Sequence, residues 1–228
     1  MASWLTALQD WLAPAGASLA GGVQGMDMPA LLALAAALGW ASGLRLYAVL
    51  FMLGWSGYAG WIDLPQSLAL LQHPVLMIAS GFMVFVEFFA DKIPGLDSLW
   101  DLVHSVIRIP GGAVLAAAVF GLDNGAVAAA AGLMGGALAA TSFATKATTR
   151  AAVNTSPEPF SNITVSLLED GMVVGALWLA TQHPFLFGIA LIVMLVLMAV
   201  LLISLLRFLN AIVRRIAGWF SPKQATSP

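Results

Sequence analysis

The chain reads as an all-α, polytopic membrane protein of about six transmembrane helices, which include two related helix-break-helix polar segments. Three observations predict this class. Of 228 residues, 61% are hydrophobic and 9% charged, with a mean hydropathy of +0.94, which leaves too little polar surface for a water-soluble globule. The run Leu186 to Leu206 holds 21 residues without a charge, against the roughly 20 needed to cross a hydrocarbon core as a helix. Ionisable groups are concentrated: Glu87, Asp91, Lys92, Asp97, Asp101, His104 and Arg108 share one otherwise apolar stretch.

Residues 1–28 form an interfacial or flexible amino-terminal segment. Trp4, Leu5, Leu8, Trp11 and Leu12 recur at helical spacing, which fits a helix lying on the membrane ahead of the Gly-rich stretch Gly16 to Gly25. Asp10 is the sole charge before Asp27 and no positive region precedes the apolar residues, so the segment does not read as a secretory signal. The transmembrane domain is expected at 29–208, with spans near Pro29 to Leu53, Pro74 to Ala90, Ile109 to Gly121, Gly125 to Thr145, Ile163 to Ala180 and Phe185 to Leu206. The third and fifth are short, and reach full length if the polar helix before each runs on into it. A basic tail occupies 209–228.

The connections Gly54 to His73, Leu122 to Asn124 and Thr181 to Pro184 contain no Lys or Arg, whereas Lys92, Arg108, Lys146, Arg150, Arg207, Arg214, Arg215 and Lys223 fall on the other side. The positive-inside rule therefore places both termini and both polar segments in the cytoplasm. The segment before Pro29 fits this poorly, since it would be cytoplasmic without one cationic side chain.

The two polar segments align with a shift of 61 residues: Asp97 meets Glu158, Asp101 meets Asn162, Ser105 meets Ser166 and Arg108 meets Glu169. Each follows a helix breaker, Ile93-Pro94-Gly95 in one and Ser156-Pro157-Glu158-Pro159 in the other, as in an internal parallel repeat. Positions 97, 101, 104 and 108 return to one helical face, opposite Leu99, Leu102, Val106 and Ile109. Asn162, Ser166, Glu169 and Asp170 make a similar stripe. Glu87 and Asp91 lie four apart, as do Lys146 and Arg150. Arg45 stands alone in the first span and needs a carboxylate or an anion there. Gly39 and Gly43, and Ala128, Gly132, Gly136, Ala140 and Ala144, are small residues at the spacing of close helix packing.

Polar faces that cannot face lipid face each other or a cavity, so the candidate ligand- or ion-binding residues are Glu87, Asp91, Asp97, Asp101, His104, Asn162, Glu169, Asp170, Arg45 and Lys146. Competing readings are that charges such as Lys92, Arg108 and Lys146 rest among lipid headgroups, or that a closed ion-pair network such as Asp101 with Arg108 or Glu87 with Lys146 serves packing alone. Oxygen and imidazole ligands for a divalent metal are available on the 97–104 face, without a diagnostic spacing. No cofactor is specified, and no catalytic residue stands out: there is no cysteine, nucleophile elbow, phosphate loop or dinucleotide fingerprint.

The stretch Glu87 to His104, with Asp91-Lys92-Ile93-Pro94, together with Asn154-Thr155-Ser156-Pro157-Glu158-Pro159-Phe160-Ser161-Asn162 and Leu167-Leu168-Glu169-Asp170-Gly171, resembles the membrane family catalogued as domain of unknown function 4126. The similarity runs from about Leu32 to Leu206. It implies a multispanning protein of the bacterial inner membrane and carries no activity with it. The residues themselves point to a small transporter or channel for an ion or small polar solute, with a membrane-embedded metal-dependent or lipid-handling enzyme and a non-catalytic scaffold as alternatives. The expected partners are the lipid bilayer and that ion or solute. Self-association is left open, and nucleic acid has no basic patch to bind.

Overall fold

The computed structural model describes residues 26–93, 95–121, 125–155 and 159–220. Their regular secondary structure is all helical: α1 Met28–Tyr58, a 3-10 helix Gln66–Gln72, α2 Pro74–Ala90, α3 Leu96–Val119, α4 Gly125–Val153, α5 Pro159–Gln182 and α6 Pro184–Phe220. The predicted amino-terminal helix, the breaker Ser156-Pro157-Glu158 and Lys223 lie outside the described residues. Five helices are long and apolar enough to cross a membrane, and the 3-10 helix with α2, bent by 68°, makes a sixth candidate span. The protein is a multi-pass helical membrane protein.

Local chemistry sets the helix ends. Asp27 caps α1, its carboxylate accepting from the Ala30 N–H at 3.0 Å, and Pro29 fits the first turn, where no amide donor is needed. The His73 ring nitrogen accepts from the Val75 N–H at 3.3 Å to open α2. Gly95, at φ +86°, lets the chain turn sharply into α3. Both polar segments do run on into the apolar spans that follow them, so α3 and α5 are each continuous.

The first span differs from the expected single crossing. Its helix is interrupted at Arg45, whose φ of -150° and ψ of 80° are not helical. A straight helix would hold the two ends of α1 about 45 Å apart, at about 1.5 Å per residue. Instead Met26, Asp27, Ala30 and Leu34 line one cavity together with Trp61, Ile62 and Asp63 from beyond its far end, against Ala180 to Gln182 of α5. The first half runs alongside α4: Gly39 sits on Gly135, Gly43 on Ala139 and Ser142, and Leu44 beside Lys146. The second half returns along α2, with Tyr47 and Leu50 near Ser80 and Met83, Phe51 on Gly81, and Gly54 against Leu71 and Met77. α1 is therefore a re-entrant hairpin with Arg45 at its tip, and it starts and finishes at the end of the bundle that carries the Lys- and Arg-free connections.

Close packing makes this reversal fit. A Cβ on Gly39 would stand 2.5 Å from the Gly135 Cα, and one on Gly43 would collide with Ser142 Oγ and the Ala139 carbonyl. Ala131, Gly135, Ala139 and Ser142 form the buried face of α4, while Gly132 and Gly136 of the small-residue series face Ala113 and Ala117 of α3. Side-chain donors take up carbonyls near the interruption: Ser142 Oγ donates to the Trp40 carbonyl at 2.7 Å, and Lys146 Nζ to that of Leu44 at 3.2 Å. Non-helical backbone at membrane depth survives where protein groups satisfy it.

Candidate functional site

The tip of the hairpin lies in a buried ionic network built by five helices. α3 shows how the sequence produces it: Asp97, Asp101, His104 and Arg108 point inward and are buried, while Leu99, Leu102 and Val106 are 58%, 67% and 73% exposed toward lipid. The helix is amphipathic with its polar stripe inside, the arrangement required when the solvent is hydrocarbon.

Glu87 from α2 pairs with Arg108 Nη2, whose Nη1 lies 2.5 Å from Asp101. Lys146 of α4 sits 3.1 Å from both Asp91 and Asp101 and 3.4 Å from Glu169. Arg45 Nη2 lies 3.0 Å from Asp91 and donates to Ser166 Oγ at 2.8 Å. Its Nε stands 2.6 Å from Asp170, an ion pair that is out of line for a hydrogen bond. Arg150 donates to Glu169 at 2.9 Å and to the Asp91 carbonyl at 3.0 Å. Each of the four buried cations thus faces at least two carboxylates.

The carboxylates outnumber the cations. Glu87, Asp91, Asp97, Asp101 and Glu169 are buried beside Arg45, Arg108, Lys146 and Arg150, five carboxyl groups to four cations, and partly exposed Asp170 is a sixth. Glu87 Oε2, Asp91 Oδ1 and Asp101 Oδ2 are buried without a hydrogen-bond donor, and the Nε groups of Arg45, Arg108 and Arg150 without an aligned acceptor. An unpaired buried charge costs several kcal/mol, on the order of 3–5 where a partner is removed.

Asp97 is mainly structural. Its carboxylate accepts from the Gly95 and Ser98 N–H groups at 2.9 and 2.6 Å, favourable at a helix N-terminus, and from Asn154 Nδ2 at 3.0 Å. Asn162 Nδ2 donates in turn to Asn154 Oδ1 at 3.0 Å. One amide relay thereby ties together the two helix breaks aligned in the sequence repeat. The aligned pair Asp101 and Asn162 are both buried, as are Arg108 and Glu169.

Of the sequence-predicted residues, Glu87, Asp91, Asp101, Glu169, Asp170, Arg45 and Lys146 meet in the network, with Asp97 and Asn162 at its edge. His104 stands apart: it stacks on Trp100 with ring centroids 4.0 Å apart, meets Tyr47 edge-on, and its Nδ1 lies 2.8 Å from the Trp100 carbonyl. Glu87 pairs with Arg108 and not with Lys146. Arg108 and Lys146, for which a place among the lipid headgroups was the competing reading, are buried. Sequence reasoning gives Asn154 no role in the site and leaves Ser166 as a stripe residue, while Arg108 and Arg150 enter it only as counter-charges, although Arg108 completes the α3 stripe and Arg150 follows Lys146 by one turn. Lys92, by contrast, does sit at the surface, its ammonium 2.9 Å from the Phe88 ring centroid. Partial burial draws it below the ordinary lysine range, against the raising effect of Asp170. Among the described residues, no three His, Asp or Glu side chains converge as a metal-binding set.

Comparison with known proteins finds no match among curated proteins and none among solved structures. A family model described as domain of unknown function (DUF4126) matches residues 32–204. That segment runs from the first turns of α1 into α6 and contains every residue of the network, so the chain belongs to the DUF4126 family.

Proposed function

We propose that the protein is a small transporter of the bacterial inner membrane that moves a proton or other small cation, alone or with a small polar solute, through the network at the hairpin tip. The observation that carries this reading is the surplus of buried carboxylate at an interrupted helix. Transporters build ion sites where helices break at membrane depth, and an intramembrane charge imbalance is stable only with a cation in place. A cavity of about 450 Å³ at the opposite end is bordered by Asp27 and Asp63 and by no Lys or Arg, a vestibule suited to cations. Between the two, Leu34, Leu38, Trp40 and Leu53 are buried, as in an occluded state.

In this proposal the network end faces the cytoplasm. Lys92, Arg207, Arg214 and Arg215 then lie inside, and the reversal of α1 puts its start at Met28 on the outer face, which removes the one misfit to the positive-inside rule. An anion site is disfavoured because every buried cation already faces carboxylates. The metal-dependent enzyme reading lacks a converging ligand set among the described residues.

Flux in proteoliposomes tests the proposal. The protein should collapse an imposed proton or alkali-cation gradient, and Glu87→Gln, which removes the surplus charge, should abolish that flux while the protein remains folded. Wild-type vesicles as tight as protein-free ones to every cation tried would leave the network a packing device.

A further inference from the structure

α6 outruns the bundle. It descends beside α4: both helices start at the end that lacks Lys and Arg, and Lys146 and Met198 line one cavity between them. α4 stops at Val153, seven residues past Lys146, whereas α6 continues for 22 residues past Met198 to Phe220. About 15 residues, or ~22 Å of helix at about 1.5 Å per residue, thus stand clear of α4. At the level where they leave it, Ser204 Oγ donates to the Val200 carbonyl at 2.7 Å, a back-bond that bends helices. The projecting segment is two-sided. At about 3.6 residues per turn, Arg207, Arg214 and Arg215 share one arc with Ala211, and Phe208, Leu209, Ile212 and Val213 make up another. The three arginines are exposed, and so are Phe208 and Val213. No Asp or Glu follows Asp170 in the sequence, and among the described residues none of these arginines meets a carboxylate.

We propose that this segment, residues 206–215, lies down on the leaflet at the network end of the bundle and binds its anionic phospholipid headgroups. A helix with arginines on one face and large apolar side chains on the other seats in the interface, its apolar face among the acyl chains and its cations among the phosphates. The apolar arc continues the lipid-facing surface of the span, where Leu201, Ile203 and Leu206 are exposed as well. The bilayer that covers the one covers the other, once the helix bends at Ser204. The cationic arc selects the headgroup. Each guanidinium binds a phosphate through paired N–H donors, no acid of the segment competes for it, and the negative potential of an anionic leaflet attracts all three. A second copy of the chain fits less well, because pairing these helices sets arginine beside arginine with no carboxylate to alternate. The inference concerns the membrane surface, and it stands or falls separately from whether ions cross the network.

The test is site-directed spin labelling of the full chain, which has no native cysteine. The protein is reconstituted in vesicles of phosphatidylcholine alone or of phosphatidylcholine and phosphatidylglycerol in equal parts. Leu209→Cys samples the apolar arc and Ala211→Cys the cationic one, and power saturation with oxygen and with a water-soluble nickel chelate reads the depth of each label. On anionic vesicles the Leu209 label should be shielded from nickel and open to oxygen, with the Ala211 label open to nickel. On neutral vesicles both should be open to nickel. Each change of Arg207, Arg214 or Arg215 to Gln should lower the ratio of seated to free segment about fivefold on anionic vesicles, the equivalent of ~1 kcal/mol per cation near such a surface. The thermal unfolding midpoint in micelles should stay in place, because these side chains make no contact that holds the bundle. A Leu209 label equally deep on both vesicle types would mean apolar anchoring only and overturn the proposal. So would nickel access to Leu209 on anionic vesicles, or dipolar broadening between labels, the sign of a second copy on this face.

Discussion

Arg108→Met is the substitution whose consequence follows most directly from the network. Arg108 is buried and bridges Glu87 and Asp101, which are buried as well. Without it, Asp101 keeps Lys146 but Glu87 faces no ion-pairing cation, and the buried deficit grows from one charge to two. Removing one partner of a buried pair costs about 3–5 kcal/mol, so the unfolding equilibrium should shift by roughly three orders of magnitude at ~1.4 kcal/mol per tenfold. Glu87→Gln should behave oppositely: the amide oxygen still accepts from Arg108, the remaining four carboxylates balance four cations, and stability should stay within about 1 kcal/mol of wild type. The double variant should then be less destabilised than Arg108→Met alone, with a coupling of about 2 kcal/mol. Reversible unfolding in mixed micelles, followed by tryptophan fluorescence, measures all three. Additive effects, or an Arg108→Met protein as stable as wild type, would refute the claim that charge balance governs this centre.

Other outcomes follow from the same structure. Gly43→Ala places a methyl group on Ser142 Oγ and the Ala139 carbonyl, and should cost about 1–3 kcal/mol as overpacking, whereas Gly171→Ala, with nothing within 4 Å of its new Cβ, should be silent in the same unfolding assay. The chain has no native cysteine, so single cysteines report topology directly. Met28→Cys and Asp63→Cys should react with an impermeant maleimide from one side of the membrane, and Thr155→Cys from the other; Met28 and Thr155 reacting from the same side would dismiss the hairpin. Asn154→Ala, which removes the amide joining Asp97 to Asn162, should cost about 1–3 kcal/mol by leaving buried polar groups unpaired.

Much of the site was legible because hydrocarbon inverts the usual rule of burial. A stripe such as Asp97, Asp101, His104 and Arg108 would mark the wet face of a soluble helix, and here the same periodicity marks the interior. The run of the polar segments into short apolar spans was readable from length alone. The reversal at Arg45 was not. Residues 28–58 carry no proline or polar cluster at the turn, and continuous apolar sequence looks like one long helix. The available cues were the lone Arg45 inside the apolar run Pro29 to Leu53, a run longer than the roughly 20 residues a crossing needs, and a cation-free amino-terminal segment. The partners of each ion were also beyond reach, since Lys146, Arg150 and Arg108 offer several equivalent pairings until the helices are placed. His104 shows the converse case: it lies on the buried stripe, but its ring stacks on Trp100 and makes no ion pair with the carboxylates.

The central claim is that the buried network holds a surplus negative charge that a cation satisfies. Its most direct test is the thermal unfolding midpoint of the purified protein, titrated with individual alkali cations at fixed pH and ionic strength and with protons at fixed salt, in wild type and Glu87→Gln. A bound species stabilises as RT ln(1 + [L]/Kd). Wild type should show a saturating rise with one cation and Glu87→Gln a flat response; identical titrations in the two proteins would mean that no cation answers to the Glu87 charge.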